Sequence, residues 1–474
     1  MHRVYLKEEH MKKLIALILV LCMTLSLAAC GSGSAPAETA PQGESTEKTD
    51  ETAQAPADNS GKTLVVDIWD NNQLEGLTKI ADEWSEKTGV KVQMNVISWN
   101  EYWTLLEAGA SGGEMPDVFW MHINEAQKYM RADMLLNLND YIAADDAIDL
   151  NNYYEGIVNI YNLDGNQFAL PKDHDTIAMI YNKAIFDKYG IEYPDDTWDW
   201  EKYAEVAAQI REAGKDEGIY GTAMNTNDGQ DGWYNLIYGH GGKLISDDNK
   251  TSGMDDPKTV EAMTWLADKL FPTMPEQSLM AETDPDLMFM SGIVGMMLQG
   301  SWMVNTFYTA EQSANYAWAQ IPYYDANGNG ACDEGERVSL YNGLGWAAAA
   351  NTDLPDEAYS LISAFCSEEG QKKQAELGVT MAAYKGCSDA FVSAFDGMDI
   401  APFLEVEENG TLIQHPASRY TTAWEGGFTT GLVEAWQNPS SMADVCKKMA
   451  DMMKKRVIMF YRSTTTFREK GKYA

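Results

Sequence analysis

Residues Ala169–Lys183 read ALPKDHDTIAMIYNK: an apolar strand holding a proline, a polar cluster of Lys172, Asp173, His174 and Asp175, then a second apolar run. Pro171 has no N–H to donate and a fixed φ, so it marks a strand edge or a point where the chain leaves a sheet. Four polar residues pinched between apolar segments are costly to bury unless something pairs with them. Two readings fit: a plain connecting loop, or a hinge that passes between two sheets and carries ligand contacts.

The flanking sequence supplies the sheets. Upstream, Leu64–Trp69 is an apolar strand followed at once by Asp70, Asn71, Asn72 and Gln73. Leu74, Leu77, Ile80, Ala81 and Trp84 then recur at helical spacing, and Gly89 suits a helix C-cap. Val90, Val92, Met94 and Val96 alternate as a strand. Asn100 can cap a helix through Trp103, Leu105 and Leu106, and Pro116–His122 is a further short strand. This β-α-β-α-β rhythm predicts an α/β lobe with a parallel sheet. Ligands in such sheets sit at the carboxyl ends of strands, here Asp70, Asn71, Trp120 and His122. Downstream the pattern continues with more helix. Gln320–Tyr324 reads as a second proline-bearing strand of crossover character, and Gly343–Ala350 as another apolar strand.

A chain of 474 residues is too long for one core, so two or more lobes are expected. The formal charge of −37 argues against nucleic-acid binding, which needs a basic surface, and favours a soluble monomer. Six histidines without a His/Cys cluster argue against structural zinc. Met11–Cys30, MKKLIALILVLCMTLSLAAC, has the basic start, apolar run and small residues of a secretory signal. Leu27–Gly31 resembles a bacterial lipobox, with cleavage before Cys30 and lipid on that cysteine. Residues 1–29 are thus expected to be a signal peptide and 30–62 a flexible linker. The mature chain would be lipid-anchored to the extracytoplasmic face of the cell membrane. In that compartment a Cys366–Cys387 bridge is permitted, and free thiols at Cys332, Cys366, Cys387 and Cys446 fit equally well.

Asp325–Glu336 matches D-x-[DN]-x-[DN]-G-x5-E at every fixed position. Asp325, Asn327 and Asn329 would offer side-chain oxygens, Ala331 its carbonyl, Asp333 the ninth position and Glu336 a bidentate carboxylate, with Gly330 at the sharp turn. The flanks read as strands, so the expectation is a structural Ca2+ at a β-hairpin tip. A metal-free Asn/Asp/Gly turn is the alternative.

Four stretches in order carry a family resemblance: Asp117–Trp120; Tyr181-Asn182-Lys183 with Phe186, Gly190, Pro194 and Thr197-Trp198; Phe289–Gly292 through Gly300-Ser301-Trp302; and Tyr341–Ala347. Together they resemble the family 1 carbohydrate-binding lipoproteins of bacterial ABC importers, the maltose-binding-protein-like group, over roughly residues 61–450. The resemblance implies an α/β, two-lobed periplasmic-binding-protein fold (Venus-flytrap, type II-like) with hinge crossings. Lobe 1 would be 61–171 plus 323–378 and lobe 2 172–322 plus 379–465, with Pro171 and Pro322 at the crossings. A mono- or oligosaccharide would bind in the cleft, close the lobes and pass to the permease subunits of the importer. Sugars are apolar on their ring faces and polar at their edges, which calls for aromatic stacking and carboxylate or amide partners. The residues that the resemblance and their positions at segment ends assign to this are Asp70, Asn71, Trp120, Asp175, Trp233, Trp302, Trp346 and Trp424. Core packing is the competing role for each tryptophan. No motif sets the pair of facing carboxylates that a carbohydrate-active enzyme needs. A polyamine, glycerol phosphate or a peptide is the alternative cargo; an anionic one would call on Lys172 or Arg419.

Overall fold

The computed structural model describes residues 61–227, 229–246 and 251–455. The expected signal, the lipidation site Cys30 and nearly all of the linker lie outside the described residues. Among those described, no helix is long and apolar enough to cross a membrane.

The chain opens with strands β1 (Thr63–Ile68), β2 (Lys91–Val96) and β3 (Val118–Met121), joined by the helices Asn71–Thr88 and Trp99–Gly112. The first helix starts on Asp70, whose carboxylate accepts the Asn72 N–H, and ends on Gly89 in the left-handed conformation. A hairpin of β4 (Asn162–Leu163) and β5 (Asn166–Gln167) precedes β6 (Ala169–Pro171) and β7 (Ile177–Asn182). Strands β8 (Tyr220–Thr222), β9 (Val294–Gly300) and β10 (Tyr316–Gln320) follow, then β11 (Val338–Tyr341), β12 (Gly345–Ala348) and β13 (Thr411–Gln414).

Two main sheets result. One has the order β2-β1-β3-β12-β6, with β1 parallel to β2 and β3, and β12 antiparallel to both its neighbours. The other has the order β10-β7-β9-β8. The strands β3, β12 and β6 of the first sheet and β7 and β9 of the second are buried on both faces, while β2 at the edge is not, and the side chains divide with the two-residue period of a strand. In β3, Val118 and Trp120 join one core while Phe119 and Met121 join the opposite one. In β7, Ile177, Met179 and Tyr181 face one way and Ala178 and Ile180 the other. Both faces being buried explains why these strands read as unbroken apolar runs.

Pro171 ends β6 in the first sheet and Ile177 begins β7 in the second, so Lys172–Thr176 is a crossing between lobes. The return was expected at Ile321–Tyr324. The chain there stays with the second lobe: Trp200 N–H donates to the Tyr323 carbonyl at 3.0 Å, and Tyr323 bridges to Asp199. The passage back to the first sheet comes at Asn342–Leu344, between β11 and β12, which moves the expected boundary at Pro322 by about twenty residues. Proline was a misleading marker at Pro322, because a φ fixed near −65° also suits an ordinary loop. The two crossings lie side by side. Asp175 N–H donates to the Asn342 carbonyl (3.0 Å), Lys172 N–H to the Leu344 carbonyl (2.8 Å), and Leu344 N–H to Asp173 Oδ1 (2.7 Å). Gly343 allows this approach: a Cβ there would stand 2.3 Å from the Asp173 carbonyl oxygen. A third passage follows Val379, which packs in the first lobe, before Met381, which packs in the second.

Lys172 and Asp173 account for the odd polar break. Lys172 is fully buried, and its Nζ holds Asp173 Oδ2 at 2.6 Å and Gln73 Oε1 at 2.8 Å, over the Trp120 ring at 4.6 Å. The pair is thus satisfied inside the junction, as buried charges must be. Gln371 bonds the Lys172 carbonyl through Nε2 (2.6 Å) and accepts the Ala383 N–H (2.7 Å), tying the first crossing to the segment after the third. Cys332, Cys366, Cys387 and Cys446 are free thiols, so the permitted Cys366–Cys387 bridge is not formed.

Candidate functional site

The lobes face each other across a seam built from the carboxyl ends of the first sheet. Asn72, beside the helix cap Asp70, donates from Nδ2 to Thr306 Oγ1 (2.7 Å) of the second lobe. Asn124 Nδ2 donates to Glu425 Oε2 (3.0 Å), and Thr422 Oγ1 donates to Glu125 Oε1 (2.8 Å). The lobes are therefore closed on one another.

Behind the seam lies an aromatic group from the first lobe. Trp69, directly after β1, meets Trp99, Tyr102, Trp103 and Trp120 with ring centroids 4.9–5.8 Å apart. Trp99 is 40% exposed and sets its edge against His122, at 5.3 Å. From there polar groups run to the second lobe: His122 to His415 (6.2 Å between rings), His415 to Tyr234 (5.8 Å), and Tyr234 OH to Glu425 Oε1 (3.4 Å). Asn342, on the second crossing, contacts His122 Nε2 at 3.0 Å. An exposed indole beside a line of neutral and acidic hydrogen-bonding groups matches a ligand with an apolar face and a polar edge.

Asp175 lies at this junction: its Oδ1 accepts from Gln230 Nε2 (2.7 Å) and from the Asn342 N–H (2.9 Å). It joins the first crossing, the second crossing and the second lobe. Asp70 is a helix cap at the seam, accepting the Asn72 N–H and Gln73 Nε2, and Asn71 is exposed next to it. Trp302, partly buried after β9, packs on the second lobe's core.

The structure places the other expected tryptophans in cores, with their faces covered by protein. Trp120 and Trp346 are paired across the β3–β12 ladder and point to one face. Trp346 stacks on Phe365 with centroids 4.6 Å apart and planes 10° apart. Trp424 is fully buried in the second lobe, its Nε1 donating to Ser418 Oγ at 3.0 Å. Trp233 lines a cavity of about 20 Å³ with Trp200, Tyr203 and Leu236, room for about one water and far too small for a sugar. A segment-end tryptophan beside glycine is thus not enough. In a sheet covered on both faces, the last residue of a strand is core and the next one reaches the cleft. Trp69 and His122 hold that next position, which is the signal that picks them out; Trp99, His415 and Tyr234 carry none in the sequence.

The loop Asp325–Glu336 folds as a closed coil. Asp325 Oδ1 accepts the N–H groups of Gly328 (2.6 Å) and Asn329 (3.1 Å), and Oδ2 that of Gly330 (2.8 Å). Asn327 and Asn329 both point Nδ2 at Asp333 Oδ2 (2.7 and 2.8 Å), and Glu336 accepts the Ala326 and Asp333 N–H groups. Gly330 takes φ +74°, which a side chain would strain. Its backbone N–H bonds hold the Asp325 carboxyl below its ordinary range. Among the described residues, no group of three or more His, Cys, Asp or Glu converges tightly enough to hold a metal as they stand. The expected hairpin is absent too: β11 pairs in parallel with β13.

Two α/β lobes, adjacent crossings and a closed seam lined by an indole and polar side chains define a two-lobed solute receptor. The chain belongs to the bacterial extracellular solute-binding protein family, which matches residues 70–372. Among its relatives, the diacetylchitobiose-binding protein DasA of Streptomyces coelicolor is 26% identical over 370 residues, covering 76% of this chain and 79% of DasA. A maltotriose-binding protein of Pyrococcus abyssi is 24% identical over 253 residues, about half of each chain (52% and 51%). A substrate-binding protein of Listeria monocytogenes solved with cycloalternan superposes with a TM-score of 0.74 at 20% identity, covering 83% of this chain and 99% of its own. The family is one of receptors, and the two-lobed fold agrees with the expectation from the sequence.

Proposed function

We propose that this protein is the extracytoplasmic, lipid-anchored receptor of an ABC importer, binding a neutral mono- or oligosaccharide between its lobes and handing it to the permease. The carrying observation is the exposed Trp99 indole set against His122, from which His415, Tyr234 and Glu425 continue a polar line to the second lobe. Relatives named for diacetylchitobiose and maltotriose support a saccharide. Another relative, from Agrobacterium fabrum and 25% identical over 180 residues, is named for sn-glycerol 3-phosphate. The site chemistry speaks against an anion here. Lys172, the cation expected to meet one, is buried and already held by Asp173 and Gln73, and Arg419 is exposed over the Tyr420 ring.

The lipid anchor rests on the sequence at Leu27–Gly31, and delivery without turnover on the family's character as receptors. We further propose that Asp325, Asn327, Asn329, Ala331, Asp333 and Glu336 hold a structural Ca2+. The 12-residue spacing and the carboxylates of Asp325, Asp333 and Glu336 turned into the coil support it; Asn327 and Asn329 would have to turn their amide oxygens inward on binding. A thermal-shift screen against neutral saccharides tests the receptor function. A sugar that raises the melting temperature and is recovered intact is expected; hydrolysis of that sugar would point to an enzyme instead.

A further inference from the structure

Strands β11 and β13 run parallel and end together, Tyr341 opposite Gln414. The His415 N–H donates to the Tyr341 carbonyl at 2.8 Å, so Asn342 and His415 emerge side by side at the carboxyl ends of the two strands. Both are almost completely buried between the lobes, 1% and 2% exposed.

The hydrogen bonds around His122 fix which way Asn342 faces. His122 Nδ1 accepts the backbone N–H of Asn124 at 3.3 Å, so that nitrogen carries no proton. The ring proton therefore sits on Nε2, which must donate to the Asn342 side chain 3.0 Å away. Only the amide oxygen can accept it, so Asn342 turns its oxygen to His122 and its NH2 the other way. At that far position the amide has no hydrogen-bond partner. Next to it, neither ring nitrogen of His415 has one, and Glu425 Oε1 stands 4.0 Å from Nε2. Burial pushes the His415 pKa down to about 3, and the Pro416 backbone pulls weakly the other way without completing a hydrogen bond. The imidazole is therefore neutral, with one donor and one acceptor.

Buried polar groups in folded proteins nearly always have partners, and exceptions at a cleft point to a ligand. We propose that Asn342 and His415 form a paired hydrogen-bonding subsite for an uncharged ligand edge that carries an acceptor beside a donor. Resting on the saccharide reading, this edge is two neighbouring sugar hydroxyls or an acetamido group. Its acceptor oxygen meets the Asn342 NH2, and its donor meets the bare nitrogen of His415.

The test is calorimetric titration of the wild type, His415→Phe and His415→Gln with a panel of neutral saccharides including maltotriose and diacetylchitobiose, alongside melting temperatures without sugar. The expected result is at least tenfold weaker binding by His415→Phe with a sugar-free melting temperature equal to or above wild type, since an unsatisfied polar ring is replaced by an apolar one. His415→Gln, which keeps a donor and an acceptor, should recover most of the affinity. Preference for diacetylchitobiose assigns the acetamido group; preference for maltotriose assigns hydroxyls. Unchanged affinity in His415→Phe overturns the subsite and leaves the saccharide reading standing. A fall in sugar-free melting temperature that parallels the lost affinity, without rescue by His415→Gln, also overturns it. A wild type that binds nothing in the panel overturns both. Should His415→Phe not fold, Asn342→Asp keeps the acceptor for His122 and removes the NH2 donors; undiminished binding by it overturns the subsite.

Discussion

Trp99 and Trp346 show how one residue type divides between binding and stability. Trp99 is 40% exposed at the seam, so truncating it removes less buried surface than truncating a core tryptophan. Trp99→Ala should weaken saccharide binding at least tenfold and move the melting temperature by only a few degrees. Trp346 is fully buried against Phe365, and Trp346→Ala should destabilise by about 3–5 kcal/mol in urea unfolding. A Trp346→Ala protein of wild-type stability would show that its ring is not part of the core. Asp286 makes a pH-dependent prediction. Burial first, and the neighbouring Asp284 carboxyl second, push its pKa up to about 7 from 3.8, against the Gln299 amide that bonds it. The folded state thus holds a proton that the unfolded state releases. Its contribution to stability is full below about pH 4 and lost as pH rises through about 7. Asp286→Asn should raise the melting temperature at pH 8 and confer no such gain at pH 4. An equal change at both values would show that the carboxyl does not titrate in this range.

At the scale of elements, the inner strands were legible because both their faces are covered, which leaves apolar runs in the sequence, whereas the antiparallel placement of β12 between β3 and β6 was not. The crossing at Pro171 was legible for a different reason: polar residues that must be paired where they are buried, and Lys172 and Asp173 pair with each other and with Gln73. The return was not. It is formed by Asn342, Gly343 and Leu344, whose role is set by backbone bonds to Asp173, Asp175 and Lys172 that no local pattern announces. The assignments of Trp120, Trp233, Trp346 and Trp424 missed similarly, since local spacing does not say which side of a strand end is roofed: Trp346 meets Phe365, nineteen positions along, and Trp120 meets Lys172, more than fifty away. The Asp325–Glu336 loop lacks the hairpin expected of it but keeps its turn at Gly330, and the side chains of Asp325, Asn327, Asp333 and Glu336 bond within the loop, so the calcium proposed there should act on stability more than on affinity. Chelation with EGTA is expected to lower the melting temperature, restored by added Ca2+, while the saccharide Kd changes less than threefold. No shift with EGTA would remove calcium from the account.

At the scale of the whole molecule, closure joins the parts. The three passages between lobes are tied by Gln371, Asp173 and Asp175, so the lobes can move about them while the cleft residues separate. Asn72–Thr306, Asn124–Glu425 and Thr422–Glu125 are exposed or partly buried contacts that an open form would give up at small cost, so a ligand touching both lobes can set the balance. A tryptophan-fluorescence titration with a malto- and chito-oligosaccharide series tests this most directly. The expected result is a saturable one-to-one change for at least one series, its midpoint moved at least tenfold higher in Trp99→Ala; no response to any saccharide, or an unmoved midpoint in Trp99→Ala, would contradict it.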